Sequence, residues 1–208
     1  MGRRTQEGET LEQYKQRMID PISESYCAAK WYNATIWLGH GQTASCHHPP
    51  GHWIPLEELK DNYTAIHNTK HKKLMRKYMQ EGKRPAECEY CWKVEDMGKN
   101  HVSDRTFKTE IFKDEDVHKS AEMPWDENVM LRTLEISFDR ACNFSCSYCN
   151  PAFSTAWVKD INTYGGYQNI QSDGRGHFVD TADWAKPAAK HEEDNPYIQA
   201  FHKWWDNG

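Results

Sequence analysis

The 208-residue chain has no apolar run approaching the ~20 residues that a membrane-spanning helix needs. Its opening, MGRRTQEGETLEQYKQRM, lacks the apolar segment of a secretory signal. Gly2 follows Met1, but Gln6 stands where a myristoylation signal requires Ser or Thr. These absences make a reducing, cytoplasmic setting the expectation, in which cysteines serve as ligands or catalysts more often than as disulfides. Positive charge is also short: the formal net charge of −5 gives nucleic-acid binding no support. Hydrophobic residues make up only 38% of the chain, with a mean hydropathy of −0.96, below the ordinary globular share. No internal repeat or low-complexity tract interrupts the sequence. No cysteine follows Cys149.

Aromatic residues, by contrast, are plentiful. Nine Trp, ten Tyr and seven Phe argue against disorder, because each aromatic side chain buries a large area. The expectation is a small, thin-cored α+β fold that needs a staple. Seven cysteines, an odd number, divide into Cys27, Cys46, Cys88 and Cys91, then Cys142, Cys146 and Cys149.

The pattern of residues places these cysteines on elements. A polar lead-in over 1–25 carries a short helical stretch from Leu11 to Met18. ATIWLGHGQTASC, 34 to 46, reads as a β-hairpin with Gly39-His40-Gly41 at the turn. Pro55 opens a helical spacing of Leu56, Leu59, Tyr63 and Ile66, and a second helix runs from Thr69 to Gln80. The basic face of that helix, Lys70, Lys72, Lys73, Arg76 and Lys77, reads as solvated rather than phosphate-binding, since no aromatics interleave with it. A cysteine module spans 26–112. Residues 113–128, acidic, aperiodic and containing Pro124, read as a linker. In the second unit, 129–208, LRTLEISFDRAC alternates as a strand running into Cys142. Helices are expected over STAWVKDINTY and NPYIQAFHKWW, with a Gly- and Asp-rich loop over 165–186 between them.

CNFSCSYC, 142 to 149, is C-x3-C-x2-C without a fourth cysteine. Thiolates suit iron–sulfur clusters and zinc. Three of them leave one iron of a cube open, or await an unseen fourth zinc ligand, or are unconnected structural cysteines. Asn143, Ser145 and Ser147 within the loop are placed to hydrogen-bond the sulfurs. Asp139 and Arg140 before it could do the same, and read first as a surface pair. Cys88-x2-Cys91 alone fits zinc or an iron–sulfur cluster. With Cys46 from the hairpin and Cys27, it closes a four-thiolate site with no vacancy, which suits structure or electron relay rather than catalysis. His47, His48, His52 and His67 lie near Cys46 and could replace a thiolate; each reads first as an ordinary loop or helix histidine.

The strand, the C-x3-C-x2-C spacing and Tyr148 before the third cysteine resemble the radical S-adenosylmethionine (SAM) family. The resemblance implies a partial (β/α) barrel whose first β/α unit ends in this loop, at the face where barrels carry their chemistry. It implies a [4Fe–4S] cluster on Cys142, Cys146 and Cys149, with Tyr148 beside it. The open iron then binds SAM for reductive cleavage to a 5′-deoxyadenosyl radical. The four-cysteine set, with CEYCWKVEDMGKNHVSDR at 88 to 105, resembles the twitch module, a shorter relative of the SPASM module. That likeness implies a second, auxiliary [4Fe–4S] cluster, with zinc as the alternative.

In that family the module follows the barrel; here it precedes it. A Gly-Gly-Glu-like stretch is also expected on a second strand. Gly165-Gly166 is followed by Tyr167 and reads as a loop turn. The chain therefore reads as the front part of a radical SAM core, completed by a C-terminal complementing chain or active only in a longer parent. Implied partners are a flavodoxin- or ferredoxin-type reductant and a peptide or protein substrate. The alternative function is a non-catalytic iron–sulfur or zinc module for electron transfer or protein interaction.

Overall fold

A computed structural model describes residues 5–98, 101–167 and 179–207. The lead-in is structured by local capping. Thr10 Oγ1 accepts from the Gln13 amide while Gln13 Oε1 accepts from the Thr10 amide, a reciprocal box that starts α1 (Leu11–Tyr14). A π-helical turn, Lys15–Ile19, follows directly. Then come α2 (Ala29–Tyr32), β1 (Asn33–Trp37), β2 (Gln42–Ala44) and β3 (His52–Trp53). The predicted helix beyond Pro55 is interrupted: α3 covers Leu56–Asp61, and Asn62 turns extended and caps a short 3-10 turn, Tyr63–Ile66. Thr69 caps α4 (Lys70–Gln80) by accepting the Lys72 amide. Helices α5 (Glu89–Asp96), α6 (Asp104–Glu110) and α7 (Asp114–Glu122) complete this run, and β4 (Thr133–Ser137), α8 (Thr155–Tyr164) and α9 (Pro196–Asn207) follow.

The strands are hydrogen bonded in the order β3-β2-β1-β4. β1 and β2 form the expected hairpin. Arg132 N–H donates to Tyr32 O and Leu38 N–H to Ser137 O, so β4 advances in the same direction as β1 and the sheet is mixed. The fold is small and α+β. Among the described residues, no helix is long and apolar enough to cross a membrane.

Two units are distinguished. One takes the chain through Ile36 and then Thr43–Glu135; the other takes Trp37–Gln42 and Ile136–Asn207. The first unit buries Tyr14, Met18, Ile19, Tyr26, Trp31, Tyr32, Met79, Trp92, Phe112, Val117 and Val129 together. The lead-in is therefore part of a core, with Tyr14 and Ile19 fully covered. The 113–128 stretch, expected as a linker, contains α7. Its first turn is acidic (Asp114, Glu115, Asp116), which suits a helix N-terminus, and Val117 is buried in the same core.

The basic face of α4 is also corrected. Lys72 and Arg76 are buried, not solvated. Lys72 Nζ donates to Asn33 O at 2.8 Å; Arg76 donates to Lys30 O, Glu127 O and Asn68 Oδ1 at 2.9–3.1 Å. These two side chains donate to backbone carbonyls inside the first unit.

In the second unit, Asn195 ties α9 to the hairpin turn. Its Oδ1 accepts the Tyr197 amide, capping the helix, while Nδ2 donates to Leu38 O and Gly39 O. Gly41 adopts φ +78°, and a Cβ there would lie 2.1 Å from the buried Tyr197 ring. Gly41→Ala should therefore destabilise the chain by about 2–4 kcal/mol, left-handed strain and overpacking combined. A shift of the urea midpoint measures it; a wild-type midpoint would contradict the packing described.

Candidate metal centre

Cys27, Cys46, Cys88 and Cys91 line one cavity in the first unit. Cys27 precedes α2, Cys46 follows β2, and Cys88 and Cys91 sit on the turn into α5 and on its first turn. The C-x-x-C spacing places two thiols on one helical turn, and the hairpin and α2 carry the others to the same space. Cys27 and Cys91 are buried, Cys46 and Cys88 partly so, and all four thiols are free.

The cavity lining offers hydrogen-bond donors to three of the four sulfurs. Backbone N–H groups of Ala29, His48 and Arg105 donate to the sulfurs of Cys27, Cys46 and Cys91 respectively, and Ser103 also bonds Cys91. Such donors stabilise bound thiolate and orient it. In the metal-free chain burial dominates, pushing the Cys27 thiol up to about 12 and Cys88 to about 11, with Cys46 and Cys91 also raised. Ionising all four thiols together in such a space would need a compensating cation.

Lys30 supplies one fixed charge. It is buried, lines the cavity, and pairs with Glu87. Burial opposes its charge, but the neighbouring Cys88 and Glu87 more than offset that and hold the ammonium protonated. Glu87 is held down at about 2: burial opposes ionisation, and hydrogen bonds with His71 and Lys30 outweigh it. Arg105 and Lys108 line the same cavity.

In the second unit the three-cysteine loop joins β4 to α8. Cys142 is exposed and Cys146 and Cys149 are partly covered. Thr155, the first residue of α8, grips Cys142 twice: its Oγ1 accepts from the Cys142 amide at 3.1 Å and donates to the Cys142 carbonyl at 3.0 Å. Trp157 Nε1 donates to Cys146 O at 3.0 Å, Ser154 Oγ to Phe144 O, and the Cys149 amide closes a turn onto Cys146 O at 2.9 Å. The Tyr148 hydroxyl bonds Cys146, and the charges of Cys149 and Cys142 also reach it; the bond to Cys146 is the largest cause of its raised pKa. Tyr148 is otherwise 89% exposed.

Among the predicted neighbours, Ser145 donates to Asp160 on α8 at 2.6 Å, while Asn143 and Ser147 are exposed. Arg140 is not used as the surface partner of Asp139. Its Nη1 donates to the carbonyls of Pro151, Thr181 and Ala182, a clasp across the base of the loop. Gly165, at φ +83°, ends α8 as the turn expected of it; the rest of the loop expected over 165–186 lies partly outside the described residues.

In neither cysteine set do three sulfurs lie within 4.8 Å of one another. Tetrahedral zinc, with Zn–S near 2.3 Å, would hold them about 3.8 Å apart. A cube binds each sulfur at a separate iron corner and spaces them wider. The first set offers four thiols and the second three, donors that suit zinc or an iron–sulfur cluster.

No protein-family model, curated protein or solved structure matches the chain. The assignment of both cysteine sets rests on their own chemistry. Lys30, Glu87, Arg105, Thr155 and Trp157 carried no motif in the sequence. The signal available for Thr155 is its place as the first residue of a helical pattern directly after the loop.

The predicted histidines divide. His52 lies on β3 with Nε2 bonded to Thr69 Oγ1 at 2.8 Å, and His67 is fully buried beside Asn68. Burial lowers His52 to about 3, with the His71 charge adding to it, and lowers His67 well below its usual value. Both remain neutral when folded yet protonate near pH 6.5 when unfolded. Their stability is thus present above pH 6.5 and is lost as pH falls from there toward 3. Each pH unit below 6.5 should cost about 1.4 kcal/mol per histidine, so about 2–4 kcal/mol by pH 5 for the pair. Urea unfolding at pH 7.5 and pH 5 tests this; a His67→Asn chain with an unchanged pH slope would refute it.

Proposed function

We propose that the second unit is the start of a radical SAM core, with a [4Fe–4S] cluster held by Cys142, Cys146 and Cys149. The observation that carries this reading is the strand–loop–helix order, with three thiols on an outward-facing loop and no fourth ligand in it. When bound, the cluster supplies one electron to SAM coordinated at its open iron. The chain's own residues hold the loop: Thr155 and Trp157 fix its backbone, Arg140 clasps its base, and Tyr148 donates a hydrogen bond to a sulfur. Cys142 is exposed, so the loop itself can be approached from solvent. β4, the loop and α8 then form the first unit of a partial (β/α) barrel.

We assign the four-cysteine cavity to an auxiliary [4Fe–4S] cluster, which Cys27, Cys46, Cys88 and Cys91 would hold and whose charge Lys30 would offset. A low-potential reductant of flavodoxin or ferredoxin type feeds the system in a cytoplasmic setting, and its substrate is a peptide or protein side chain by analogy with other such modules. The test is electron paramagnetic resonance of the reduced, reconstituted protein. Adding SAM should change the cluster signal, and Cys146→Ser should abolish that change while leaving the auxiliary signal. A signal indifferent to SAM would overturn the open-iron assignment.

A further inference from the structure

A third ligand set stands at the rim of the cysteine cavity. His47 and His48 follow Cys46 directly, and Asp104 opens α6. His48 Nε2 lies 3.0 Å and His47 Nε2 3.8 Å from the same oxygen, Asp104 Oδ2, and all three ligand atoms fall within 4.8 Å of one another. A tetrahedral ion with bonds near 2.05 Å sets its ligands about 3.3 Å apart, between the two observed distances.

The set is also oriented. The His48 ring stacks on Tyr90 with centroids 3.8 Å apart and planes 13° from parallel, and Tyr90 sits between Cys88 and Cys91 on α5. His47 is 60% exposed along its side chain, so the outer side is open to water. Imidazole and carboxylate donors select zinc, cobalt or nickel, whereas the thiols beside them select clusters.

We propose that His47, His48 and Asp104 bind one divalent transition-metal ion, with water completing its coordination. The ion replaces the hydrogen bond between His48 and Asp104. It joins the segment carrying Cys46 to the helix carrying Arg105, whose amide bonds Cys91. One metal thereby locks two walls of the cysteine cavity. Lys108, four residues beyond Asp104 on α6, opposes the ion's charge, so the affinity is set by the three ligands rather than by the surrounding field.

The proposal does not depend on which metal fills the cysteine cavity. The reconstituted protein is titrated with Co2+, and the visible bands of nitrogen- and oxygen-bound cobalt are followed beside the near-ultraviolet thiolate-to-metal band. One equivalent should bind without a thiolate band, and His47→Ala and Asp104→Asn should each weaken it at least tenfold while iron and sulfide content stay unchanged. His47→Ala alters an exposed side chain and keeps the fold. Absence of that equivalent, a thiolate band accompanying it, or affinity indifferent to both substitutions would each overturn the proposal. Loss of iron and sulfide in wild type would instead count against the cluster assignment alone.

Discussion

Replacing Cys91 by Ser should empty the four-cysteine cavity of metal and lower the melting temperature on the order of 10 °C, because metal binding to buried thiols is also folding free energy. Cys91 is buried on α5 among residues of the first unit's core, beside Trp92. Losing its thiol leaves three thiols and Lys30 lining the cavity. Cys142→Ser provides the contrast. That residue is exposed on a surface loop, so its loss should remove the second cluster but move the melting temperature by no more than about 2 °C. Thermal unfolding of the two reconstituted variants, paired with metal analysis, separates the cases. Equal shifts would mean that the buried set is not a metal-bound staple.

Arg105→Met should cost roughly 3–5 kcal/mol, the largest expected effect away from the cysteines. Arg105 is only 2% exposed. Its guanidinium grips Glu95 through two bonds, 2.6 and 2.8 Å, and donates to Tyr26 O at 2.7 Å. Glu95 is held ionised because the hydrogen bond and charge of Arg105 outweigh its burial, which works the other way. Removing the arginine leaves the partly buried Glu95 carboxylate with only the Ser103 hydroxyl of these donors, at 2.6 Å, and takes the guanidinium donor from the Tyr26 carbonyl. Arg105→Met with Glu95→Gln should recover part of the loss, since the stranded charge is then gone. A double variant no more stable than the single one would show that the charge is not the cause. The amide of residue 105 still bonds Cys91 in both, so metal content is a second readout, expected unchanged.

The sequence made the cysteines legible because their chemistry is local: a C-x-x-C on one turn, a hairpin ending in Cys46, a strand entering Cys142. It also made β1, β2, β4, α4, α8 and α9 legible, where alternation, caps and helical spacing agree with the packing. The environment of the cysteine sites was not local. Lys30 meets Glu87 across 57 residues of chain, and Arg105 meets Tyr26 across 79, so no window of sequence contains either pair. Lys72 and Arg76 misled for a related reason. Cations on a helix are usually solvated, and only the carbonyls presented by α2, β1 and residue 127 make these two buried ones stable. The helix hidden in 113–128 did carry a signal: three acids in its first turn and Lys119 in its last. Its apolar content, chiefly Val117, was too small to produce periodicity.

The central claim is that both cysteine sets hold iron–sulfur cubes. Anaerobic reconstitution followed by iron, sulfide and zinc analysis tests it most directly. Two four-iron clusters predict about eight iron and eight sulfide per chain, falling to about four of each in Cys91→Ser or Cys142→Ser. A preparation that takes up zinc but no sulfide would contradict the account at both sites.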